Sequence, residues 1–374
     1  MKIIILKENL VKGLSIVNRF TTKSITLPIL NNILLSTESN FLKISATNLE
    51  IGINFWSLAQ IEEKGEVSVQ GKIFQDVISL INSNQINIRE HNLNIEIESK
   101  KYKTKLKGRD PKDFPIIPKI ETKKPFTVNS KNLASGLEEV IDNVSVSQAR
   151  PELSGILFKI EGDILKLVST DSFRLSEKKI SLKESIKESS SFILPARTAR
   201  ELINIIGNYS NEIRIYIGEN QVMFEGQMEE VDHPFFQVVS RLIDGEFPDY
   251  EKIIPQKFQT KIIIKKDVLL NEVKKASIFA NKINEVHIRV NKEKGELKIT
   301  AQNPEVGESV SSVECQVEGV DIEISFNYRF LISGLTNIRT PEVSFSLTNS
   351  EGPAVLSPLG AKDFFYIVMP IKSS

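Results

Sequence analysis

At 374 residues the chain is too long for one ordinary hydrophobic core, and usual domain sizes give two or three. Hydrophobic residues make up 40% and charged residues 26%, with no apolar run near eighteen residues, which describes a soluble globular chain rather than a membrane one. The 48 basic and 48 acidic residues cancel, which argues against gripping nucleic acid by bulk positive charge but leaves room for a local basic surface.

Near the N-terminus, Ile3-Ile4-Ile5-Leu6 is too short for a signal peptide and lacks a small-residue cleavage site, so it reads as a first strand. It leads into a predicted helix over Lys7 to Arg19, where Leu10, Leu14 and Val17 recur at i, i+4 and i+7 and form one packing face. An alternating strand then ends in the turn Ile44-Ser45-Ala46-Thr47-Asn48-Leu49, and a second short helix is expected at Lys72 to Ile81. The same order returns. Phe126-Thr127-Val128 leads into a helix over Ser130 to Asn143 with Leu133, Leu137 and Val140 on one face. Leu167-Val168-Ser169-Thr170-Asp171-Ser172 is its strand and turn, and Thr198 to Ile206 its second helix. A third round runs from Lys261-Ile262-Ile263-Ile264 into a helix over Lys266 to Asn281 bearing Leu269, Val273 and Ala276. Ile299-Thr300-Ala301-Gln302-Asn303-Pro304 and a helix over Asn327 to Leu335 complete it. Each second helix precedes a hairpin of period-two strands, such as Ile213 to Ile217, the turn Gly218-Glu219-Asn220, and Gln221 to Phe224.

Leu10 to Leu133 and Thr47 to Thr170 are both separated by 123 positions, so two independent landmarks share one offset. Proline-containing stretches mark the linkers: Phe114-Pro115-Ile116-Ile117-Pro118-Lys119, then Phe247-Pro248-Asp249-Tyr250 with Ile253-Ile254-Pro255. The expected domains are therefore 1–120, 121–250 and 251–374, each with two helices on antiparallel strands, an α+β class. Periods this long are triplicated globular domains rather than solenoid repeats.

Catalytic chemistry is sparse. His91, His233 and His287 lie far apart, in a turn, before a proline and in a strand, and read as solvated or loop residues. The single cysteine, Cys315, can form neither an internal disulfide nor a zinc site, which fits a reducing cytoplasm, and it reads as strand packing. No metal or other cofactor is expected. Gly65 to Gly71-Lys72-Ile73 looks superficially like a phosphate loop, but it is one residue too long and Ile73 stands where a Ser or Thr must bind magnesium. Ser176-Glu177-Lys178-Lys179 matches the Ser-x-x-Lys signature of penicillin-recognising serine hydrolases, with Ser176 and Lys179 as the reactive pair. Neither Ser-Asp-Asn nor Lys-Thr-Gly occurs, so chance explains the match better. A non-DNA scaffold of repeated α+β domains is the other alternative.

Several segments, in order along the whole chain, resemble the bacterial beta sliding clamps: Leu27-Pro28-Ile29-Leu30, Arg150-Pro151-Glu152-Leu153-Ser154-Gly155, Thr170-Asp171-Ser172-Phe173-Arg174-Leu175, Leu242 to Tyr250, Phe326-Asn327, and Val368-Met369-Pro370-Ile371. The resemblance implies a head-to-tail homodimer whose six domains close into a ring, with helices facing the hole and sheets on the rim, and no membrane association. It also implies a processivity factor, not an enzyme, that encircles double-stranded DNA and tethers the replicative DNA polymerase. Positions matching the family's dimer interface are Leu106, Ile278 and Phe279, for which ordinary core packing is an equal alternative.

Sliding requires contacts that are few, mobile and indifferent to sequence, which phosphate attraction from Lys and Arg supplies. The helices carry Lys7, Lys12, Arg19, Lys72, Arg197, Arg200, Lys274, Lys275 and Lys282, and Lys23 adjoins Ser24, which replaces a basic residue of the family. Lys12, Lys23, Lys72, Arg197, Arg200 and Lys275 are the expected DNA contacts. Glu138, Glu139 and Asp142 make one helix acidic, which reads as a solvated face.

The resemblance further implies a pocket that takes short peptides from polymerases, clamp-loader subunits and repair proteins. Leu153, Thr170, Ser172, Phe173, Arg174, Leu175, Pro248, Ile253, Ile367 and Met369 match its deep part, and Arg150, Asn327, Phe330, Pro370 and Ile371 its neighbouring part. Core packing for the apolar members and a structural ion pair for Arg174 are the alternatives. Phe173, Phe330, Lys252 and the ending Ile371-Lys372-Ser373-Ser374 depart from the family pattern, which bears on peptide preference.

Overall fold

The computed structural model describes residues 1–100, 102–120, 124–147 and 149–372. The last two tail residues, and the first three of the expected second domain, lie outside the described residues. The first repeat runs β1 (Lys2–Leu6), α1 (Lys7–Val17), β2 (Asn32–Glu38), β3 (Phe41–Thr47), β4 (Ile51–Leu58), β5 (Gln60–Glu63), β6 (Glu66–Gln70), α2 (Gly71–Leu80), β7 (Gln85–His91), β8 (Asn94–Ser99) and β9 (Tyr102–Arg109). The second is β10 (Phe126–Asn129), α3 (Ser130–Val140), β11 (Gly155–Thr170), β12 (Arg174–Pro195), α4 (Ala196–Ile206), β13 (Glu212–Ile217), β14 (Gln221–Gln227) and β15 (Pro234–Arg241). The third is β16 (Thr260–Lys265), α5 (Lys266–Ser277), β17 (Glu285–Asn291), β18 (Glu296–Asn303), β19 (Gly307–Glu314), β20 (Gln316–Gly319), β21 (Ile322–Asn327), α6 (Tyr328–Asn337), β22 (Glu342–Leu347), β23 (Ala354–Pro358) and β24 (Phe364–Val368). The first and third repeats share one order of elements. In the second, two long strands, with register shifts around Gly162 (φ +62), replace the five short ones.

The helices form where the apolar stripes lie: Leu10, Leu14, Val17, Leu133, Leu137, Val140, Val273 and Ala276 are fully buried and Leu269 nearly so. Gly13 lets α1 approach the sheet, since a Cβ there would stand 2.8 Å from the Phe55 ring. The first helix of each repeat ends earlier than the sequence predicts. After Val17 and Val140 the chain tightens into 3-10 turns that bury Phe20 and Ile141. After Ser277 it leaves the helix, and Asn281 accepts the amides of Ile283 and Glu285.

Two compact units result, one of residues 1–131 and 201–242, the other of 132–200 and 243 onward. The first holds a thirteen-stranded sheet ordered β10-β13-β14-β15-β4-β3-β2-β6-β9-β8-β7-β1-β5. The second holds a seven-stranded sheet, β11-β12-β24-β23-β22-β16-β20, and a four-stranded sheet, β19-β18-β17-β21. The units cut across the second repeat because its strands are shared out. Its β15 extends the first repeat's sheet at β4, and its β12 joins the third repeat's sheet at β24.

Several expectations need correction. His91 ends β7, opposite Asn94, rather than lying in a turn. The stretch from Gly65 to Gly71 contains strand β6, so it is no phosphate loop. Cys315 packs against the third repeat's core as expected, although from the joint between β19 and β20 rather than from within a strand, and burial pushes its thiol up to about 11. Among the described residues no helix is long and apolar enough to cross a membrane, and no cluster of side chains suits a metal.

Candidate functional site

The turn between β11 and β12 is built by its own side chains. Asp171 Oδ1 accepts the amides of Phe173 and Arg174 at 3.0 Å, while Thr170 Oγ1 accepts the Ser172 amide at 3.1 Å and donates to the Arg174 carbonyl at 2.7 Å. Ser172 takes φ +77 to make the reversal. Arg174 is fixed three ways: Nε donates to Asp171 Oδ2 at 2.9 Å, Nη2 to the Asp142 carbonyl at 2.7 Å, and its guanidinium lies 4.9 Å from the Phe330 ring centre. The structural ion pair considered for Arg174 is therefore present, within a constellation that also brings Phe330 of α6 to the turn.

Antiparallel pairing of β12 with β24 sets Arg174 opposite Val368 and Leu175 opposite Ile367, joining segments remote in sequence. The chain then continues as a strap, pinned where the Met369 amide donates to the Phe173 carbonyl and the Ile371 amide to the Ser325 carbonyl, each at 2.8 Å. Leu153, Thr170, Leu175 and Ile367 are buried. Leu175 and Ile367 belong to one apolar cluster with Leu157, Val168, Ile193 and Tyr250, so they form a floor rather than an open wall. The accessible apolar side chains are Phe173 (61% exposed), Ile253 (55%) and Met369 (38%). Phe173 stacks on Phe330 with ring centres 6.3 Å apart, and the Tyr366 hydroxyl donates to the Phe330 carbonyl at 2.8 Å. Pro248, Pro370 and Ile371 are half-buried, the Asn327 side chain caps α6 through the Arg329 amide, and Arg150 is exposed and paired with Glu152 at 2.9 Å.

The expected basic residues are scattered. Lys23, Arg197, Arg200, Lys274 and Lys282 are exposed. Lys12 lies 4.9 Å over the Phe235 ring, and Arg19, Lys72 and Lys275 pair with Glu201, Asp76 and Glu272. Lys7 instead caps the end of α2, donating to the carbonyls of Ser79 and Ile81 at 2.9 and 2.6 Å. The acidic face of α3 is not simply solvated either. Glu139 is 4% exposed and bound by Lys178 at 2.8 Å, and Arg339 reaches Glu138 at 2.8 Å. Leu106 lies on β9, half-buried. Ile278 is 69% exposed, which removes core packing as its role, while Phe279 packs partly against the third repeat's core and lies next to Gly307 at the start of β19.

Ser176 and Lys179 do not form a hydrolase pair. They point to opposite faces of β12, and Ser176 is fully buried, accepting a hydrogen bond from Asn143 Nδ2 at 2.7 Å. Sequence reasoning missed the Tyr250 hydroxyl's hydrogen bond to Glu177 Oε2 at 2.6 Å, and the Lys159, Lys166, Glu161 and Glu251 network beside it. The only available sign was that Glu177 shares the strand parity of Leu175.

Three family models match in succession: the N-terminal domain of the DNA polymerase III beta subunit over residues 1–118, its central domain over 127–249 and its C-terminal domain over 251–372. The beta sliding clamp of Proteus mirabilis is 29% identical over 375 residues and that of Pseudomonas aeruginosa 28% over 378, each covering 100% of both chains. The crystal structure of the DNA polymerase sliding clamp from Bacillus subtilis superposes with a TM-score of 0.94 at 25% identity, covering 100% of both chains. Three domains matched in the family's own order, on an α+β fold that superposes from end to end, establish that the chain belongs to the DNA polymerase III beta subunit family, the sliding clamps of DNA replication.

Proposed function

We propose that the chain acts as a clamp by closing head to tail with a second copy into a ring around duplex DNA, with domains at 1–120, 121–250 and 251–374. One observation carries this reading. The fourth strand of the first repeat, β4, pairs with the last strand of the second, β15, and the corresponding part of β12 pairs with the last strand of the third, β24. By the same rule β19 requires the last strand of a first repeat, and among the described residues β19 has no neighbour beyond β18. Among the described residues the matching strand, β9, meets β6 only at Gly108 and Arg109, which leaves most of its outer edge unpaired. The charges are complementary: β9 carries Lys103, Lys105, Lys107 and Arg109, whereas β19 carries Glu308 and Glu314. A heterologous contact of this kind closes into a two-subunit ring when the rotation per subunit is a half-turn.

Lys12, Lys23, Lys72, Arg197, Arg200 and Lys275 then serve as exchangeable phosphate contacts, because exposed ion pairs are worth only about 0–1 kcal/mol and yield readily to DNA. Phe173, Ile253 and Met369 above the Leu175–Ile367 floor receive short peptides of the replicative polymerase, the clamp loader and other partners. The work is done in the cytoplasm, without catalysis or a cofactor.

Sedimentation should give twice the 42.2 kDa chain mass, and closed circular DNA should retain the protein at salt concentrations that release it from linear DNA. Replacing Ile278 with Asp and Phe279 with Ser should produce folded monomers that circular DNA no longer holds, since each lost apolar anchor costs about 2 kcal/mol or more. A monomeric wild-type protein, or equal release from both DNA forms, would favour the non-DNA scaffold.

A further inference from the structure

Glu177 is a carboxylate sealed to 2% exposure on β12, two residues beyond Leu175 and on the same face. Its Oε2 accepts the Tyr250 hydroxyl at 2.6 Å, and Lys179 Nζ stands 3.4 Å from its other oxygen. Tyr250 is itself 4% exposed and wedged into the apolar floor. It opens the 3-10 turn Tyr250–Ile253, so this one side chain is rooted in the sheet between Pro248 and Ile253, the linker residues of the pocket. On the solvent side the next residue, Glu251, accepts from Lys159 and Lys166 at 2.9 and 3.1 Å. Burial and the Glu177 carboxylate push the Tyr250 hydroxyl well above the ordinary tyrosine range, so it remains a donor at working pH.

We propose that the Tyr250–Glu177 hydrogen bond is a latch that sets where the linker wall stands over the floor, and thereby sets the affinity of the pocket for partner peptides. The proposal rests on the peptide-pocket reading above, and within it Tyr250 is a positioning residue. Apolar packing is not directional, so a linker held by packing alone can shift along the sheet, whereas a buried hydrogen bond to a strand residue fixes both distance and direction. The first repeat supplies the contrast. There Asn54 occupies the position of Glu177 but accepts the Ser45 hydroxyl within the sheet at 2.7 Å, and the overlying linker rests Ile117 on Gly52.

The test uses the full chain and calorimetry with a short peptide carrying Gln, Leu and Phe anchors, alongside thermal melting and dimer mass. Tyr250→Phe leaves the buried Glu177 carboxylate with only the 3.4 Å contact to Lys179, so the melting temperature should fall and the affinity should drop about tenfold. Adding Glu177→Met removes the stranded charge and should restore melting, since losing both partners is close to neutral. Affinity should stay low in that double variant because only packing and the exposed Lys159 and Lys166 contacts to Glu251 then hold the linker, and the dimer mass should be unchanged throughout. A Tyr250→Phe protein that binds as tightly as wild type overturns the latch, and so does a double variant that regains affinity together with stability. Failure of the wild-type protein to bind any peptide is a different result, which removes the pocket reading itself and the latch with it.

Discussion

The two seams where one repeat's sheet meets the next, β4 with β15 and β12 with β24, share backbone design but not side chains. Each follows a turn made alike: Leu49 takes φ +78 and Ser172 φ +77, and Thr47 and Thr170 each bond across the turn. The last strands continue alike too, with the Arg241 amide on the Glu50 carbonyl at 2.9 Å and the Met369 amide on the Phe173 carbonyl at 2.8 Å. Yet facing the linker, Ser45, Gly52 and Ser68 of the first seam stand where Val168, Leu175 and Ile193 stand in the second. The first seam is thus polar and small, and its linker leaves a cleft of about 890 Å³ lined by Ser36, Ser45, Asn54 and Gln237. The second is a buried apolar floor into which Tyr250 is wedged. Backbone topology repeats, but an apolar anchor site arises only where the side chains on one face of the sheet are large and water is excluded.

The largest expected effect comes from making the second seam resemble the first. Leu175→Ala should cost about 2–5 kcal/mol in denaturant unfolding through the cavity left in the floor, and should weaken peptide binding as well. An unchanged midpoint would show that the floor is not a packed core. The reverse exchange, Gly52→Leu, is milder. A Cβ at Gly52 already meets Ile117 at 3.1 Å, so the larger side chain must displace the linker at a cost of about 1–3 kcal/mol. No loss there would mean that Ile117 moves freely.

The smallest effect is electrostatic. Glu251 and Glu161 are held below the ordinary carboxylate range by hydrogen bonds from Lys159 and Lys166. A carboxyl with a depressed folded pKa contributes its stability above the unfolded value, about 4.3, and loses it as pH falls through the folded value. Melts stepped from about pH 7 down to about pH 3 should decline in acid, and Glu251→Gln should remove a small part of that decline, since the network is largely solvent-exposed. Identical acid profiles would show that the network adds nothing to the linker's attachment.

Local periodicity carried much of the fold. The stripes Leu10-Leu14-Val17 and Leu133-Leu137-Val140 fall on fully buried faces, since a 3.6-residue period is a property of the chain itself and survives whatever packs against it. Helix ends were less legible: whether the chain tightens after Val17 or unwinds after Ser277 depends on Phe20 finding a core and on Asn281 finding amides to accept. The pocket segments were legible only through resemblance, because nothing local to Leu175 or to Ile367 says that the two strands pair.

By itself, then, the sequence determined an α+β chain built three times over, with a 123-residue offset still visible between Leu10 and Leu133 and between Thr47 and Thr170. Only the tertiary structure decided which charges are spent: Lys7 on the carbonyls ending α2, Glu139 on Lys178, Glu177 on Tyr250. It alone also decided that Ser176 and Lys179 face apart and that the second repeat is divided between two compact units. Helical and strand periods are written residue by residue, but a charge's partner and a strand's neighbour are fixed by contacts between segments far apart along the chain, and only packing brings those together.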